Sequence, residues 1–172
     1  MRRILLALAA LALAAPAFAQ TPPRPPTCEA SEHRAFDFWI GEWDVFVTGG
    51  EQLAGRSTIA SEDRGCVITE HYESTRAPFT GRSLNMYDRA ERQWVQVWMD
   101  SQGDITRFAG AATPTGMQLT APNDVSPSAQ TPHFTRMTFT RNADGTVRQH
   151  GEASPDGEAW TTTYDFTYRP RR

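Results

Sequence analysis

Residues 81–100 read GRSLNMYDRAERQWVQVWMD, and this stretch contains the pattern that decides the fold. On both sides of the polar segment 88–91, successive residues alternate in character with a period of two, which is typical of β-strands. The polar segment carries residue types that form tight turns. The stretch therefore predicts two antiparallel strands joined as a hairpin.

The same pattern continues outward in both directions, with turn residues recurring about every 8–12 positions. No second helix of useful length interrupts it, and the long crossovers that parallel pairing requires are missing. The one long connection, 122–132, is polar and bounded by prolines, and we interpret it as a flap over an opening. The sequence predicts ten strands, at residues 42–48, 55–61, 66–75, 81–88, 93–100, 104–111, 115–121, 132–141, 145–154 and 158–168.

Residues 31–40, SEHRAFDFWI, form the only segment with helical spacing, about two turns long, with Ser31 as its N-cap. The predicted fold class is all-β: an up-and-down antiparallel barrel of about ten strands with this one short N-terminal helix. Closure is favoured because it removes the free edges of the sheet. A sandwich of two sheets is the alternative.

The N-terminal residues 1–19 predict a cleaved export signal, because two arginines precede an apolar run that ends in an Ala-Phe-Ala cleavage site. Residues 20–30 form a proline-rich tether, and residues 31–172 form a single barrel domain. No later stretch is apolar for long enough to cross a membrane. We expect a periplasmic or secreted protein that has no membrane partner once the signal is removed.

The charge of the chain argues against one class of partner. It contains 17 basic residues and 20 acidic ones, and removal of the signal leaves 15 against 20, a net charge of −5. The basic residues form no cluster, so the chain lacks the electrostatic footprint of a nucleic-acid-binding protein. No nucleic-acid partner is expected, and the sequence leaves the oligomeric state open.

The two cysteines, Cys28 and Cys66, predict a disulfide, because an even pair in an oxidising compartment is normally bridged. A metal-binding pair is the alternative, but no histidine lies at a spacing typical of zinc sites. The sequence predicts no metal site.

A resemblance to a known family rests on two places in the chain. Gly41-Glu42-Trp43 opens the first strand directly after the short helix, and Arg169 closes the last strand. This arrangement resembles the calycin superfamily of lipocalins and fatty-acid-binding proteins. The resemblance implies that Gly41, Trp43 and Arg169 close one end of the barrel, with the guanidinium packed over the indole.

The runs HRAFDFWIGEWDVF, GCVITE and GRSLNMYDRAERQWVQVWMD also resemble a group of exported bacterial domains of unknown function. That likeness implies a lipocalin-like barrel but no established activity. Haem-binding ten-stranded barrels of the nitrobindin type are similar as well, yet they carry an axial histidine on a late strand, and this chain has none after His150. No cofactor is therefore expected.

One face of each predicted strand mixes aromatic and polar side chains, as the interior of a ligand-holding barrel does. We expect this face to line a cavity, with an arginine at the polar end of the ligand. The opposite, aliphatic face is the alternative interior, because a shift of one residue exchanges the two faces. The cavity candidates are Glu70, Tyr72, Asn85, Tyr87, Gln96, Trp98, Arg107, Arg136 and Gln149.

These features predict a carrier or sensor of a small, largely apolar molecule with one polar group. The sequence contains no HExxH, GxSxG, phosphate-loop or CxxC motif, so no residue is assigned a catalytic role. Two alternatives stay open. One is an enzyme that uses the same cavity for isomerase- or hydratase-like chemistry, and the other is a structural or partner-binding barrel with a filled interior.

Overall fold

A computed structural model describes residues 28–124 and 133–171. The predicted signal, most of the tether and residues 125–132 of the predicted flap lie outside the described residues. The described part begins with helix α1 (Ser31–Arg34) and a 3₁₀ turn (Asp37–Trp39). The strands that follow are β1 Gly41–Val47, β2 Leu53–Glu62, β3 Val67–Ser74, β4 Thr80–Asp88, β5 Gln93–Asp100, β6 Ile105–Thr113, β7 Gly116–Asp124, β8 His133–Arg141, β9 Val147–Ser154 and β10 Thr161–Pro170.

The ten strands form a closed antiparallel up-and-down barrel in which each strand pairs with its neighbours in sequence. The ring closes where β1 pairs with β10, with Val45 opposite Tyr168. The predicted fold class is thereby confirmed, and the two-sheet sandwich is excluded. Each predicted strand lies within three residues of an observed one, because period-two alternation and turn residues mark the strand ends locally.

The N-terminal helix differs from its prediction. It is interrupted after Arg34, and the chain continues in a 3₁₀ turn in which the Trp39 amide donates to the Phe36 carbonyl at 3.1 Å. The N-cap is Ala30, while the Ser31 hydroxyl donates to its neighbour Glu32. The break at Phe36, with φ −106° and ψ 3°, lets two aromatic side chains enter the barrel together.

The packed core lies at the end of the barrel that this helical segment covers. Phe36 and Trp39 are fully buried, stack with ring centroids 5.0 Å apart and contact Phe139 of β8. The Trp43 indole N–H donates to the Trp39 carbonyl at 2.9 Å and so ties the segment to β1. Gly41 has a φ of 153°, and a Cβ there would approach the Trp43 ring to 3.3 Å. The helical segment thus plugs one end.

The predicted packing of Arg169 over Trp43 is wrong. Arg169 lies on the outer face of β10, with its guanidinium 4.2 Å above the Phe46 ring and an ion pair to Glu51 at 2.6 Å. Neighbouring strand residues point to opposite faces, so the inward residue next to it, Tyr168, contacts Trp43 instead, at 6.2 Å between ring centroids.

Cys28 and Cys66 form a disulfide, which confirms the predicted pairing. The bond ties the segment before α1 to the start of β3, across 38 residues. A disulfide is consistent with a periplasmic or secreted location. Within the described ranges, the helices are too short and too polar to cross a membrane.

Candidate ligand-binding site

The barrel encloses a cavity of about 380 Å³ in the half away from the helical plug. Along β5, the indole of Trp94 donates to the Glu32 carbonyl of α1, whereas Trp98, four residues further on, lines the cavity. Four strand residues span about 13 Å, so the two tryptophans mark the plugged and the hollow halves. The cavity is lined by the aromatic residues Tyr72, Phe79, Trp98, Phe108, Tyr164, Phe166 and Tyr168, and by Glu70, Gln96, Thr106, Thr135, Met137 and Gln149.

Three of the aromatic side chains lie against glycines of neighbouring strands, in the pairs Trp98 with Gly81, Tyr164 with Gly151 and Tyr72 with Gly55. A Cβ on these glycines would approach the rings to 2.1, 2.2 and 2.6 Å respectively, far inside van der Waals contact. Only glycine therefore permits the rings to rest against the wall. Each ring occupies the space next to a glycine that a larger residue would fill with its own side chain.

Glu70 of β3 is buried among hydroxyl groups. Its two carboxyl oxygens accept hydrogen bonds from Ser57 of β2 and Ser83 of β4, each at 3.0 Å. The Ser83 oxygen accepts in turn from the Asn85 amide at 2.9 Å, and the Gln96 amide donates to the Asn85 carbonyl at 2.6 Å. Every donor in this chain of hydrogen bonds is thus directed towards Glu70.

Burial raises the pKa of Glu70 to about 7, against the opposing effect of the hydroxyl groups of Ser57, Ser83 and Tyr168. Burial also raises the pKa values of Tyr164 and Tyr168, so both hydroxyls are neutral at physiological pH. Near neutral pH, Glu70 therefore exchanges between its neutral and charged forms, whereas its tyrosine neighbours keep their protons.

A second polar group lies on β9. The Gln149 side-chain oxygen accepts a hydrogen bond from the Tyr168 hydroxyl at 2.6 Å, and its amide nitrogen lies 3.4 Å from the Tyr164 hydroxyl and 3.4 Å from the Met137 sulfur. The amide is therefore held in one orientation by groups from β8 and β10. Gln149 and Glu70 are thus two polar groups that hydrogen bonds hold in place in a largely aromatic cavity.

The structure brings five of the predicted cavity residues together on the wall: Glu70, Tyr72, Gln96, Trp98 and Gln149. Asn85 is buried on the inward face of β4 next to Ser83 but does not line the cavity, and its amide also donates to the Ile68 carbonyl. Tyr87 lies at the plugged end, with its ring edge-on to His33 at 5.1 Å between centroids. The aliphatic alternative is excluded on β4, where Leu84 is 51% and Met86 is 46% exposed.

The assignment of two arginines to the interior is wrong. Arg107 is exposed on the outside of β6. Arg136 also points outward, where it pairs with Glu152 at 2.8 Å and lies 4.0 Å above the Trp160 ring. On both strands the face that was expected to point inward is the outer one. A shift of one residue is enough to exchange the two faces of a strand. Thr106 and Thr135 face the cavity instead.

Several wall residues were missed at the level of sequence. Tyr164, Phe166 and Tyr168 alternate in β10, so the period-two rule could have found this aromatic face. Ser57 and Ser83 carry no such signal. A serine on a strand donates to a buried carboxyl group only where the register of the sheet places that group opposite it, as it does for Glu70 here.

No protein-family model matches the chain, and no curated protein is significantly similar to it. Within residues 28–124 and 133–171, no three histidine, cysteine, aspartate or glutamate side chains are arranged to hold a metal ion. The cavity and its polar residues are therefore what indicates a function.

Proposed function

We propose that the chain is an exported small-molecule-binding protein, a carrier or sensor whose ligand is largely apolar with one polar end. The observation that carries this proposal is the hollow of about 380 Å³, with its aromatic wall and its buried carboxyl group. Pockets for small ligands have this size and this balance of apolar surface and few polar groups. The resemblance to calycin barrels supports the same class of function.

The wall favours binding because it is formed before any ligand arrives. Trp98 and Tyr164 are held against glycines, and Gln149 is fixed by hydrogen bonds from its neighbours. A ligand that enters need not order these side chains, and preorganisation reduces the entropic cost of binding. Each buried square ångström of apolar surface then contributes about 25 cal/mol.

A titration of the full chain with the neutral dye N-phenylnaphthylamine tests the proposal. We expect saturable binding at one site, with enhanced dye fluorescence. Trp98→Ala should weaken the affinity about tenfold, equivalent to about 1.4 kcal/mol, because part of the wall is removed. Trp160→Ala, outside the cavity beside Arg136, is the matched control and should leave the affinity unchanged. Absence of saturable binding by the folded protein would refute the proposal.

A second candidate, an enzyme, is favoured by one observation. Glu70 has a pKa of about 7 inside a cavity, which suits a group that donates and accepts protons at neutral pH. Mass spectrometry of small molecules that co-purify with the protein would identify a ligand whose conversion can be followed. Glu70→Gln should abolish its turnover in an enzyme, whereas a carrier shows no turnover with either protein. A structural barrel with a filled interior is not supported, since the interior contains a cavity of about 380 Å³.

A further inference from the structure

The cavity, as far as the structure describes its wall, carries an acidic group and no basic partner for it. Among the described residues that line it, Glu70 and the tyrosines are the ionisable ones, and none is arginine or histidine. Because Arg107 and Arg136 lie outside the barrel, the arginine expected at the polar end of the ligand is not there.

The direction of the hydrogen bonds indicates whether the polar groups around Glu70 can donate to a ligand or accept from it. Ser57 and Ser83 each give their single hydroxyl proton to Glu70, and the amide protons of Asn85 reach Ser83 and the Ile68 carbonyl. The hydroxyl protons of Ser57 and Ser83 are thus committed to Glu70, and the Tyr168 hydroxyl beside it donates to Gln149. A carboxylate oxygen retains further acceptor capacity. The polar end of a matching ligand is therefore a hydrogen-bond donor.

A cation fits these surroundings better than a neutral donor. A charged carboxylate in a buried site is costly unless an opposite charge accompanies it, and a ligand ammonium supplies that charge. The rings of Tyr72, Trp98 and Tyr164 present π surfaces in the same cavity, and such faces attract cations. A ligand carboxylate at the same place would face the Glu70 charge with no basic side chain to offset it.

We infer that the ligand is a hydrophobic amine, bound in its protonated form with the ammonium group paired to Glu70. This inference rests on the proposed binding function and narrows its ligand class. The apolar part of the amine contacts the aromatic residues of the cavity wall. The ammonium group donates to the carboxylate that Ser57 and Ser83 hold in place.

The pairing makes binding depend on pH, because the amine needs Glu70 in its charged form. The titratable groups that face Glu70 are Tyr72 on its own strand and Tyr164 and Tyr168 on β10, and all three have raised pKa values. Glu70, with a pKa of about 7, therefore titrates alone near neutrality. From the charged fractions, the amine should bind about 30-fold more weakly at about pH 5.5 than at about pH 8.

Three competitors that share one ring system test the inference: naphthylmethylamine, naphthylmethanol and naphthoate, each displacing N-phenylnaphthylamine from the full chain. At about pH 8 we expect the amine to bind at least about tenfold more tightly than the other two. Its advantage should shrink at about pH 5.5, while the alcohol keeps its affinity. Equal or tighter binding of naphthoate at pH 8 would overturn the inference.

Variants separate the role of the charge from that of the cavity. Glu70→Gln should remove the preference for the amine and its pH dependence, while the dye and the alcohol still bind. Glu73→Gln, exposed on the same strand, is the matched control. An amine preference that persists in Glu70→Gln would contradict the inference, and if that variant does not fold, the three competitors at two pH values decide. A chain that binds no dye would instead refute the proposed function itself.

Discussion

At the scale of single residues, Glu70 is the most consequential side chain of the molecule. Glu70 as a residue is 4% exposed, and its carboxyl group accepts hydrogen bonds from the hydroxyls of Ser57 and Ser83. Hydrogen bonds offset part of the cost of burying a charge but not all of it. The part of this cost that the hydrogen bonds do not offset makes ionisation of Glu70 harder in the folded protein, and its pKa is therefore raised to about 7.

Glu70 makes the stability of the empty protein depend on pH. Its pKa is about 7 in the folded chain against an ordinary value of 4.5, so between these values the folded state binds more protons than the unfolded state. The contribution to stability is complete below pH 4.5 and is lost as the pH rises through 7. The linkage predicts a loss of about 3 kcal/mol in the free energy of unfolding across this window.

Urea unfolding at a series of pH values measures this dependence. In Glu70→Gln, the part of the loss in unfolding free energy that comes from Glu70 should disappear, because the amide does not titrate. Glu73→Gln should retain the full slope of the wild type. A slope that is the same in wild type and Glu70→Gln would show that the carboxyl group ionises as freely in the folded protein as in the unfolded one.

At the scale of elements, the hollow half depends on cross-strand pairs of glycine and aromatic residues. Gly81 of β4 lies beneath Trp98 of β5, and Gly151 of β9 lies beneath Tyr164 of β10. Glycine in a strand lacks a side chain to pack, and the ring of the neighbouring strand covers it. The same contact stabilises the sheet and keeps the cavity open.

Gly81→Ala tests this arrangement. The added Cβ would lie 2.1 Å from the Trp98 ring, so the indole must move away from the wall. Overpacking of this kind costs about 1–3 kcal/mol, and we expect weaker binding of N-phenylnaphthylamine together with a lower unfolding midpoint. Gly50→Ala is the control, since its Cβ would meet nothing closer than 3.8 Å. Unchanged dye affinity in Gly81→Ala would show that the ring position does not shape the cavity.

At the scale of the whole molecule, the barrel is divided into a packed half and a hollow half. The helical plug places Phe36 and Trp39 in the packed half, and the disulfide anchors the segment before it to β3. The packed half supplies the contiguous core, so the hollow half can remain open without leaving the barrel unsupported. Closure through β1 and β10 makes the ring of paired strands around both halves continuous.

Closure predicts a specific pattern of hydrogen exchange. Because β1 and β10 are paired on both sides, their amide protons should exchange only on global unfolding, as slowly as those of β5. Exchange followed by mass spectrometry on peptides that cover 41–47, 93–100 and 161–170 measures this directly. Faster exchange in the first and last strands than in β5 would indicate a sheet that opens along the β1–β10 seam.

Much of this architecture was predictable from the sequence, because its signals are local. Alternation and turn residues located all ten strands, and the pair Cys28 and Cys66 predicted the bridge. Three side-chain positions depend on more than local sequence, and their predictions were wrong. Arg107 and Arg136 point outward, and the residue that packs against Trp43 is Tyr168 rather than Arg169. Each depends on which face of a strand turns inward, and a single-residue shift reverses that choice.

The sequence alone thus determined the strand pattern, the disulfide pair and a polar face on β3, β4 and β5 that contains Glu70. Only the tertiary structure decided that the barrel closes and that one half stays hollow. It also decided that the acid faces serine hydroxyls from two other strands rather than an arginine. Strand formation depends on residues that are neighbours along the chain. The groups that contact a buried charge come from different strands, and the register of the sheet decides which of them meet.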